Sequence, residues 1–291
     1  MLTKKLYGTG VALVTPFDNR GGIDFQALKK LLRHTSKGVD YYVVMGTTGE
    51  SATLSKDEKK EVLKFVIANN VKKLPIVYGI GGNHTQSVVD EIRSTDLTNV
   101  DALLSVSPYY NKPSQEGIYQ HFVTVANASP IPIILYNVPG RTASNLTAET
   151  TLRLAKHKNI IGIKEASGNL EQCMKVAKEK TVDFLLISGD DMLTLSIYAI
   201  GGVGVISVLA NAYPVIFKKI KEYMQTGKLN RAQQEQFKLL EINASMYEEG
   251  NPVGLKHLLK TINIGNGHVR LPLVPASSAL QKKIETLAQK I

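Results

Sequence analysis

Short runs of aliphatic and β-branched residues alternate with amphipathic helical patterns eight times within about 225 residues of this chain. Eight strand–helix units of this size predict a (β/α)8 TIM barrel. A doubly wound open sheet is the structural alternative, and it requires a glycine-rich phosphate-binding turn after the first strand. Residues 15–18 read Thr-Pro-Phe-Asp, which is not such a turn, so the pattern favours the barrel.

The predicted elements follow from hydrophobic periodicity and capping residues. The eight predicted strands are residues 10–14, 41–45, 76–78, 102–106, 133–136, 160–165, 184–187 and 203–207. Helices are predicted to begin near Asp24, after a capping box of Ser55 and Glu58, and near Thr85, Ser114, Thr147, Asn169 and Asp190. Residues 226–291 carry no strand pattern and predict two or three helices. We therefore expect a barrel domain over 1–225 and a C-terminal helical extension over 226–291.

The charge and cysteine content narrow the functional classes. The net charge is +10, but the lysines are scattered along amphipathic helices and form no basic block with interleaved aromatics. This predicts solvated helix faces and a field that attracts anionic substrates, with no nucleic-acid partner. No apolar run approaches the roughly 18 residues of a membrane span, and the N-terminus lacks a signal-peptide pattern. The single cysteine, Cys173, excludes an internal disulfide and fits a reducing cytoplasm.

Lys164 lies near the end of the sixth predicted strand, the end at which barrel enzymes place their catalytic groups. Because strand side chains alternate between faces, Gly162, Lys164 and Ala166 share the inner face. The small neighbours leave room for a long side chain, and burial there favours the neutral amine that attacks a carbonyl. The alternative is a lysine that snorkels to solvent or pairs with Glu165, and the residues alone leave both open.

Other strand ends carry polar side chains with two interpretations each. Thr47 and Thr48 stand between glycines and offer hydroxyl and N–H groups to a carboxylate, or they form a turn without a ligand. Tyr110 and Tyr136 have phenols that transfer protons, or they pack as amphipathic rings. Arg141 has the planar fork that grips a carboxylate, or it is simply solvated.

The paired carboxylates of Asp190 and Asp191 raise the question of a metal. No third carboxylate or histidine stands at ligand spacing, and the six histidines are dispersed. The pattern favours acids that complement a helix N-terminus, so we expect no metal site.

Five motifs occur in order along the chain: GTTGESATLS at 46–55, SPYYNKP at 107–113, YNVPGRT at 136–142, GIKEASG at 162–168 and SGDD at 188–191. Together they resemble the dihydrodipicolinate synthase family from about Gly8 to the C-terminal helices. The resemblance implies a cytoplasmic, pyruvate-dependent class I lyase of lysine and diaminopimelate biosynthesis. It also implies a homotetramer built as a dimer of dimers, without a cofactor.

The resemblance further implies residue roles. Lys164 forms a Schiff base with pyruvate, and Thr47 and Thr48 hold the pyruvate carboxylate. The enamine that follows attacks the aldehyde of L-aspartate-4-semialdehyde. Tyr136 is the general acid/base, linked through Thr48 to Tyr110 of the neighbouring subunit.

The second substrate separates this family from its relatives. Arg141 is implied to bind the semialdehyde carboxylate, while Gly189 and the backbone carbonyl of Ile206 complete the pocket. N-acetylneuraminate lyases and keto-deoxy-sugar-acid aldolases share the lysine and the tyrosine and are the alternative function. Arg141 and the Thr47–Thr48 pair match the synthase pattern.

Many family members are inhibited by lysine at a subunit interface. Ser51, Asn83 and Tyr109 are among the corresponding positions here. Inhibited members generally have a histidine where Lys59 stands and a glutamate where Ser87 stands. A cation in place of the histidine, with the acid lost, implies weak or absent inhibition by lysine.

Overall fold

The computed structural model describes residues 2–291, and its eight strands form a closed parallel barrel in chain order. The strands are β1 (Gly8–Ala12), β2 (Tyr41–Val44), β3 (Ile76–Gly79), β4 (Ala102–Val106), β5 (Ile133–Asn137), β6 (Ile160–Glu165), β7 (Leu185–Ser188) and β8 (Gly204–Ser207). The predicted (β/α)8 barrel is therefore confirmed.

Helices separate the strands and fill the C-terminal region. They are α1 (Leu2–Lys5), α2 (Phe25–Thr35), α3 (Lys56–Asn69), α4 (Thr85–Ser94), α5 (Gln115–Ala128), α6 (Pro139–Thr142), α7 (Ala148–Leu154), α8 (Leu170–Glu179), α9 (Thr194–Ala199), α10 (Pro214–Gln225), α11 (Leu229–Phe237), α12 (Leu240–Ser245), α13 (Val253–Thr261) and α14 (Ser278–Ala288). Short 3-10 helices occupy Thr47–Gly49, Ser51–Thr53 and Leu209–Asn211. The capping box predicted at Ser55 and Glu58 is present at the start of α3.

Two helical predictions differ from the structure. The helix predicted near Asp190 begins at Thr194, because the Asp190 carboxylate accepts a hydrogen bond from the Met192 N–H and closes a separate turn before it. The C-terminal region has four helices instead of two or three. Its first two are separated by a tighter turn, in which the Leu239 N–H donates to the Gln236 carbonyl.

The chain divides into two compact units. One comprises the N-terminal residues through Tyr7 together with Pro75–Ile206, and the other comprises Gly8–Leu74 together with Ser207–Ile291. The core of the first includes the fully buried central residues of β5, and the core of the second includes α13. None of the helices within residues 2–291 is long and apolar enough to cross a membrane. A domain boundary between residues 225 and 226 stays a prediction.

Candidate active site

Lys164 and Tyr136 are direct neighbours across β5 and β6. The Lys164 side chain is only 6 % exposed, and its Nζ lies 4.2 Å from the centroid of the Tyr136 ring. A cation over an aromatic face at this distance is electrostatically favourable. The structure thus brings together the predicted nucleophile and the predicted acid/base.

Glu165 points away from this pair. Its carboxylate accepts hydrogen bonds from Asn137 Nδ2 at 3.1 Å, from Gln172 Nε2 at 2.8 Å and from the Ser167 N–H at 2.7 Å. These partners are on the opposite side of the strand because consecutive side chains alternate. Lys164 forms no ion pair within the described residues 2–291, so the interpretation in which it pairs with Glu165 is wrong.

A buried polar network that sequence reasoning missed surrounds Glu165. Asn137 Nδ2 also donates to Asn145 Oδ1 at 2.8 Å, and Asn145 Nδ2 donates to Gln172 Oε1 at 2.8 Å. Asn137 and Glu165 are register partners directly after the Tyr136 and Lys164 pair. The network therefore fixes the carboxyl ends of β5 and β6, which carry those two side chains. The sequence signal for this network was the polar residue that directly follows each candidate catalytic residue, namely Asn137 after Tyr136 and Glu165 after Lys164.

Two glycines allow β6 and β7 to approach closely. A Cβ at Gly162 would lie 2.6 Å from the Leu185 Cβ, and a Cβ at Gly189 would lie 2.6 Å from the Ala166 Cβ. The Gly189 N–H also donates to the Glu165 carbonyl at 2.7 Å. Space for Lys164 is therefore not the only reason for the glycine at 162, since the neighbouring strand needs it as well.

Thr47 and Thr48 open a 3-10 turn after β2. The first N–H groups of such a turn have no acceptor within it, so both are available to a ligand. Thr48 is only 3 % exposed, and its Oγ1 accepts a hydrogen bond from Asn251 Nδ2 at 3.0 Å. The Thr47 hydroxyl makes no hydrogen bond to other atoms of residues 2–291.

The same turn leads into a buried ion pair that the sequence did not reveal. Glu50 adopts a left-handed conformation with φ 53°, and its Oε1 lies 2.5 Å from Lys256 Nζ. Lys256 also donates to the His268 carbonyl at 2.9 Å and lies 3.9 Å from the Phe17 ring centroid. Burial lowers the pKa of Lys256 to about 8, against the opposing effect of the Glu50 charge. In the sequence, Lys256 resembles any other lysine of an amphipathic helix.

The remaining predicted catalytic and second-substrate residues are exposed. Tyr110 is 87 % exposed and has φ 71°, a conformation that side chains rarely adopt. Arg141 is exposed in the four-residue α6 and has no ion pair within residues 2–291. Both side chains are therefore free to meet another molecule.

The other predicted positions are less distinctive. Ile206 is fully buried in β8, and Ser51 is half-buried in its 3-10 helix. The Asn83 carbonyl accepts a hydrogen bond from Asn111 Nδ2 at 2.9 Å, and Tyr109 is partly exposed. Among the described residues, no group of three or more His, Cys, Asp or Glu side chains is arranged to hold a metal ion.

Comparison with known proteins agrees with this geometry. The model of the dihydrodipicolinate synthetase family matches residues 5–291. The chain belongs to this family. A 4-hydroxy-tetrahydrodipicolinate synthase of Flavobacterium psychrophilum is 50 % identical over 286 residues, with 98 % of each chain covered. Members of the dihydrodipicolinate synthetase family are class I, aldolase-type lyases, so the predicted family and enzyme class are confirmed.

Solved structures of the family have the same fold. A dihydrodipicolinate synthase of Bacillus anthracis superposes with a TM-score of 0.94 at 36 % identity, covering 98 % of both chains. A structure described as the first monomeric dihydrodipicolinate synthase variant superposes with a TM-score of 0.93 at 33 % identity, covering 99 % of this chain and 97 % of that one. The predicted function agrees with the names that these relatives carry.

Proposed function

We propose that this chain condenses pyruvate with L-aspartate-4-semialdehyde, and that pyruvate is held as a Schiff base on Lys164. The observation that carries the proposal is the buried Lys164 Nζ above the Tyr136 ring, with Glu165 turned away from it. The neutral form of a lysine amine is the nucleophile that adds to a ketone.

The reaction follows from iminium chemistry. The Lys164 amine adds to the keto carbon of pyruvate and expels water, which leaves a positively charged iminium. This cation withdraws electrons, so the methyl group loses a proton and becomes an enamine carbon. The enamine carbon bonds to the aldehyde carbon of the semialdehyde, whose C=O π bond breaks, and the oxygen takes up a proton and becomes a hydroxyl. The amino group of the semialdehyde then attacks the iminium carbon, closes the ring and releases Lys164. The iminium is the electron sink, so we propose no cofactor.

The other residues receive roles that suit their surroundings. Tyr136 is the general acid/base, since its phenol belongs to the strand beside Lys164. Thr47 and Thr48 bind the pyruvate carboxylate through their hydroxyls and N–H groups, and Thr48 links Tyr136 to Tyr110 of the partner subunit. Of the two threonines, Thr48 is held by Asn251 and Thr47 is the less constrained.

The second substrate is proposed to enter past Arg141. Its guanidinium is exposed and unpaired within residues 2–291, as a fork for the semialdehyde carboxylate must be. Gly189 and the backbone carbonyl of Ile206 complete the pocket. This role for Gly189 is supported by its lack of a Cβ, which allows the end of β7 to lie close to Ala166.

We place the protein in the cytoplasm as a homotetramer, a dimer of dimers. The buried free thiol of Cys173 supports a reducing compartment. The exposed Tyr110 ring supports a partner subunit at that surface. A monomeric variant among the solved relatives makes the assembly a property to be measured for each chain.

Inhibition by L-lysine is proposed to be weak, through a site that includes Ser51, Asn83 and Tyr109. The Ser87 hydroxyl, where an acid is implied in inhibited members, is bonded to His84 Nδ1 at 2.7 Å and carries no charge to attract an ammonium group. An activity titration with L-lysine that reaches strong inhibition at millimolar concentration would contradict this proposal.

Borohydride reduction in the presence of pyruvate tests the central step. We expect one pyruvate-derived adduct per chain, located at Lys164 by mass mapping of peptides, and none in Lys164→Arg. The peptide with Lys256 is an internal control, because this lysine is a second buried lysine. Its pKa is lowered by burial, but its amine pairs with Glu50. An adduct on Lys256, or none at all, would refute the proposed mechanism.

A coupled assay with the second substrate decides the reaction. Activity is expected with pyruvate and L-aspartate-4-semialdehyde, and none with N-acetylneuraminate. The opposite result would assign the chain to the sugar-acid branch of the superfamily.

A further inference from the structure

The C-terminal region reaches the turn after β2 through the side chain of Asn251. Asn251 is 8 % exposed, and its Nδ2 donates to Thr48 Oγ1 over a distance of 3.0 Å. The two residues are 203 positions apart in sequence. Because both groups are buried, water cannot replace this hydrogen bond when it is lost.

The segment that carries Asn251 is itself tightly held. Gly254, in the first turn of α13, packs on a neighbouring backbone: a Cβ there would lie 2.2 Å from the Ser245 carbonyl oxygen. Lys256, also on α13, pairs with Glu50, two residues after Thr48. One rigid segment therefore contacts the threonine turn at two points, which fixes the direction from which Asn251 approaches Thr48.

The direction of the Asn251–Thr48 hydrogen bond matters chemically. A hydroxyl has one proton and two lone pairs, and the Asn251 amide occupies a lone pair of Thr48 Oγ1. The Thr48 proton is then left for another acceptor, and its hydroxyl donates to no other atom of residues 2–291. Asn251 Oδ1 is buried without a hydrogen-bond partner within the same residues. A side chain present only for packing would avoid an unpaired buried oxygen.

We infer that Asn251 is a positioning residue that makes Thr48 a hydrogen-bond donor toward the carboxylate of pyruvate. The inference rests on the proposed function, because it assigns the acceptor of the Thr48 proton to the substrate. Asn251 itself does not touch the substrate. It acts by holding Thr48 Oγ1 through a lone pair, so that the O–H bond turns toward the anion.

Two substitutions at this position make different demands on Thr48. In Asn251→Ala the hydroxyl is free to rotate, and the KM for pyruvate is expected to rise about tenfold, as one lost hydrogen bond allows. In Asn251→Asp the shape is kept, but an ionised carboxylate only accepts and so takes the Thr48 proton. In this variant the KM for pyruvate is expected to increase further as pH rises and the new carboxyl ionises.

If Asn251 acts only through Thr48, the effects of substituting the two residues on the KM for pyruvate should not add. Thr48→Val removes the hydroxyl, so adding Asn251→Ala to Thr48→Val is expected to leave the KM for pyruvate unchanged within about twofold. The KM for the semialdehyde is expected to stay the same in Asn251→Ala and Asn251→Asp. The matched control is Thr286→Ala, which removes an exposed hydrogen bond from the Thr286 hydroxyl to the Lys282 carbonyl in the same C-terminal region and should leave both KM values unchanged.

The outcomes separate the two proposals. If the unmodified protein forms no borohydride-trapped adduct at Lys164, the proposed function fails. If it does, and Asn251→Ala and Asn251→Asp retain the unmodified KM for pyruvate, the inference about Asn251 is refuted. It is equally refuted if the effects of Asn251→Ala and Thr48→Val simply add. Should the alanine variant fold poorly, the isosteric aspartate variant replaces it. The dependence of its adduct yield on pyruvate concentration then provides the measurement.

Discussion

Arg141 is an arginine without an acidic partner in the described part of the chain, on a short helix that directly follows the Tyr136 strand. If it grips the semialdehyde carboxylate, its removal affects the second substrate and spares the first. We predict that Arg141→Ala lowers kcat/KM for the semialdehyde roughly thirtyfold, the value of a charged hydrogen bond of about 2 kcal/mol. Trapping of pyruvate on Lys164 should be unchanged.

Steady-state kinetics with each substrate varied in turn measures this selectivity. Arg93→Ala, which removes an exposed arginine from the last turn of α4, is the matched control. Equal losses for both substrates, or weakened pyruvate trapping, would show that Arg141 supports the fold of the site and does not select the second substrate.

His121 is a second residue whose surroundings lead to a measurable property. Its ring is buried, Nδ1 is 2.9 Å from the Thr85 hydroxyl, and Nε2 has no hydrogen-bond partner within residues 2–291. Burial lowers the pKa of His121 from 6.5 to about 4. Between pH 4 and pH 6.5, His121 is protonated in the unfolded chain and neutral in the native chain, so unfolding takes up a proton.

We predict that the free energy of unfolding falls as pH decreases from 6.5 to 4, by up to about 3 kcal/mol through His121 alone. Below pH 4 this contribution stops changing, since both states are protonated. His121→Asn retains a polar group for Thr85 and should show a flatter pH dependence, although it is less stable overall. Thermal midpoints of both proteins across this range provide the measurement. Parallel curves would contradict the prediction, and the exposed His84→Asn is the control that should leave the slope unchanged.

At the scale of elements, a bidentate salt bridge joins α3 to the C-terminal segment. The two terminal nitrogens of the Arg270 guanidinium, Nη1 and Nη2, donate to the Glu58 carboxylate over 2.9 and 2.5 Å. The Arg270 hydrogen bonds lower the pKa of Glu58 to about 2. Glu58 also accepts from the Ser55 N–H in the capping box, so one side chain fixes both the start of α3 and its partner segment.

We predict that Glu58→Gln lowers the free energy of unfolding at pH 7 by about 2 kcal/mol, after allowance for partial solvent screening. Glutamine can still close the capping box, so the loss reports the charge. A carboxyl with a lowered native pKa stabilises above its unfolded pKa of about 4.5 and loses that effect as pH falls toward 2. The difference between the two proteins should therefore shrink below pH 4.5.

Thermal midpoints at one protein concentration, from pH 7 to pH 3, measure this difference. Glu61→Gln, an exposed position of the same helix, is the control. A gap that does not change with pH would mean that the Glu58 charge contributes nothing and that only shape is lost.

The strands and most helix starts were predictable because they depend on local pattern. Asp24, Ser55, Ser114 and Asn169 are short polar residues that cap their own helices, and each did so where predicted. The helix predicted at Asp190 failed because the same kind of side chain also closes an isolated turn. Sequence pattern does not distinguish these two uses of a carboxylate.

The candidate site was predictable only in part. Lys164 and Tyr136 could be predicted because the alternation of side chains along a strand places them on the inner face of the barrel. The barrel topology also gathers the carboxyl ends of the strands at one end of the molecule. Asn251 and Lys256 could not be found this way, because their partners are about 200 residues earlier in the chain. Such pairings depend on tertiary packing, which one sequence without its fold does not reveal.

At the scale of the whole molecule, the proposal that the site is shared between chains concerns Tyr110. Its ring is almost fully exposed, and its backbone adopts φ 71°. Neighbouring Tyr109 is also partly exposed, so this loop presents two aromatic rings to solvent. Exposed, conformationally strained aromatics are costly for a chain that acts alone and are typical of interfaces.

If Tyr110 serves the site of its partner subunit, two inactive variants should repair each other. Lys164→Arg lacks the nucleophile and Tyr110→Phe lacks the phenol, so each homo-oligomer is expected to be inactive or nearly so. In a mixed dimer, the site with an intact Lys164 receives an intact Tyr110 from the other chain. We predict recovery of about a quarter of the unmodified activity after equal co-expression, because half of the dimers are mixed and half of their sites are complete. Purification of the whole co-expressed mixture through one tag that both chains carry, followed by the coupled assay, measures this fraction. If each chain used its own Tyr110, mixed dimers would contain no complete site, and the activity would stay at the level of the separate variants.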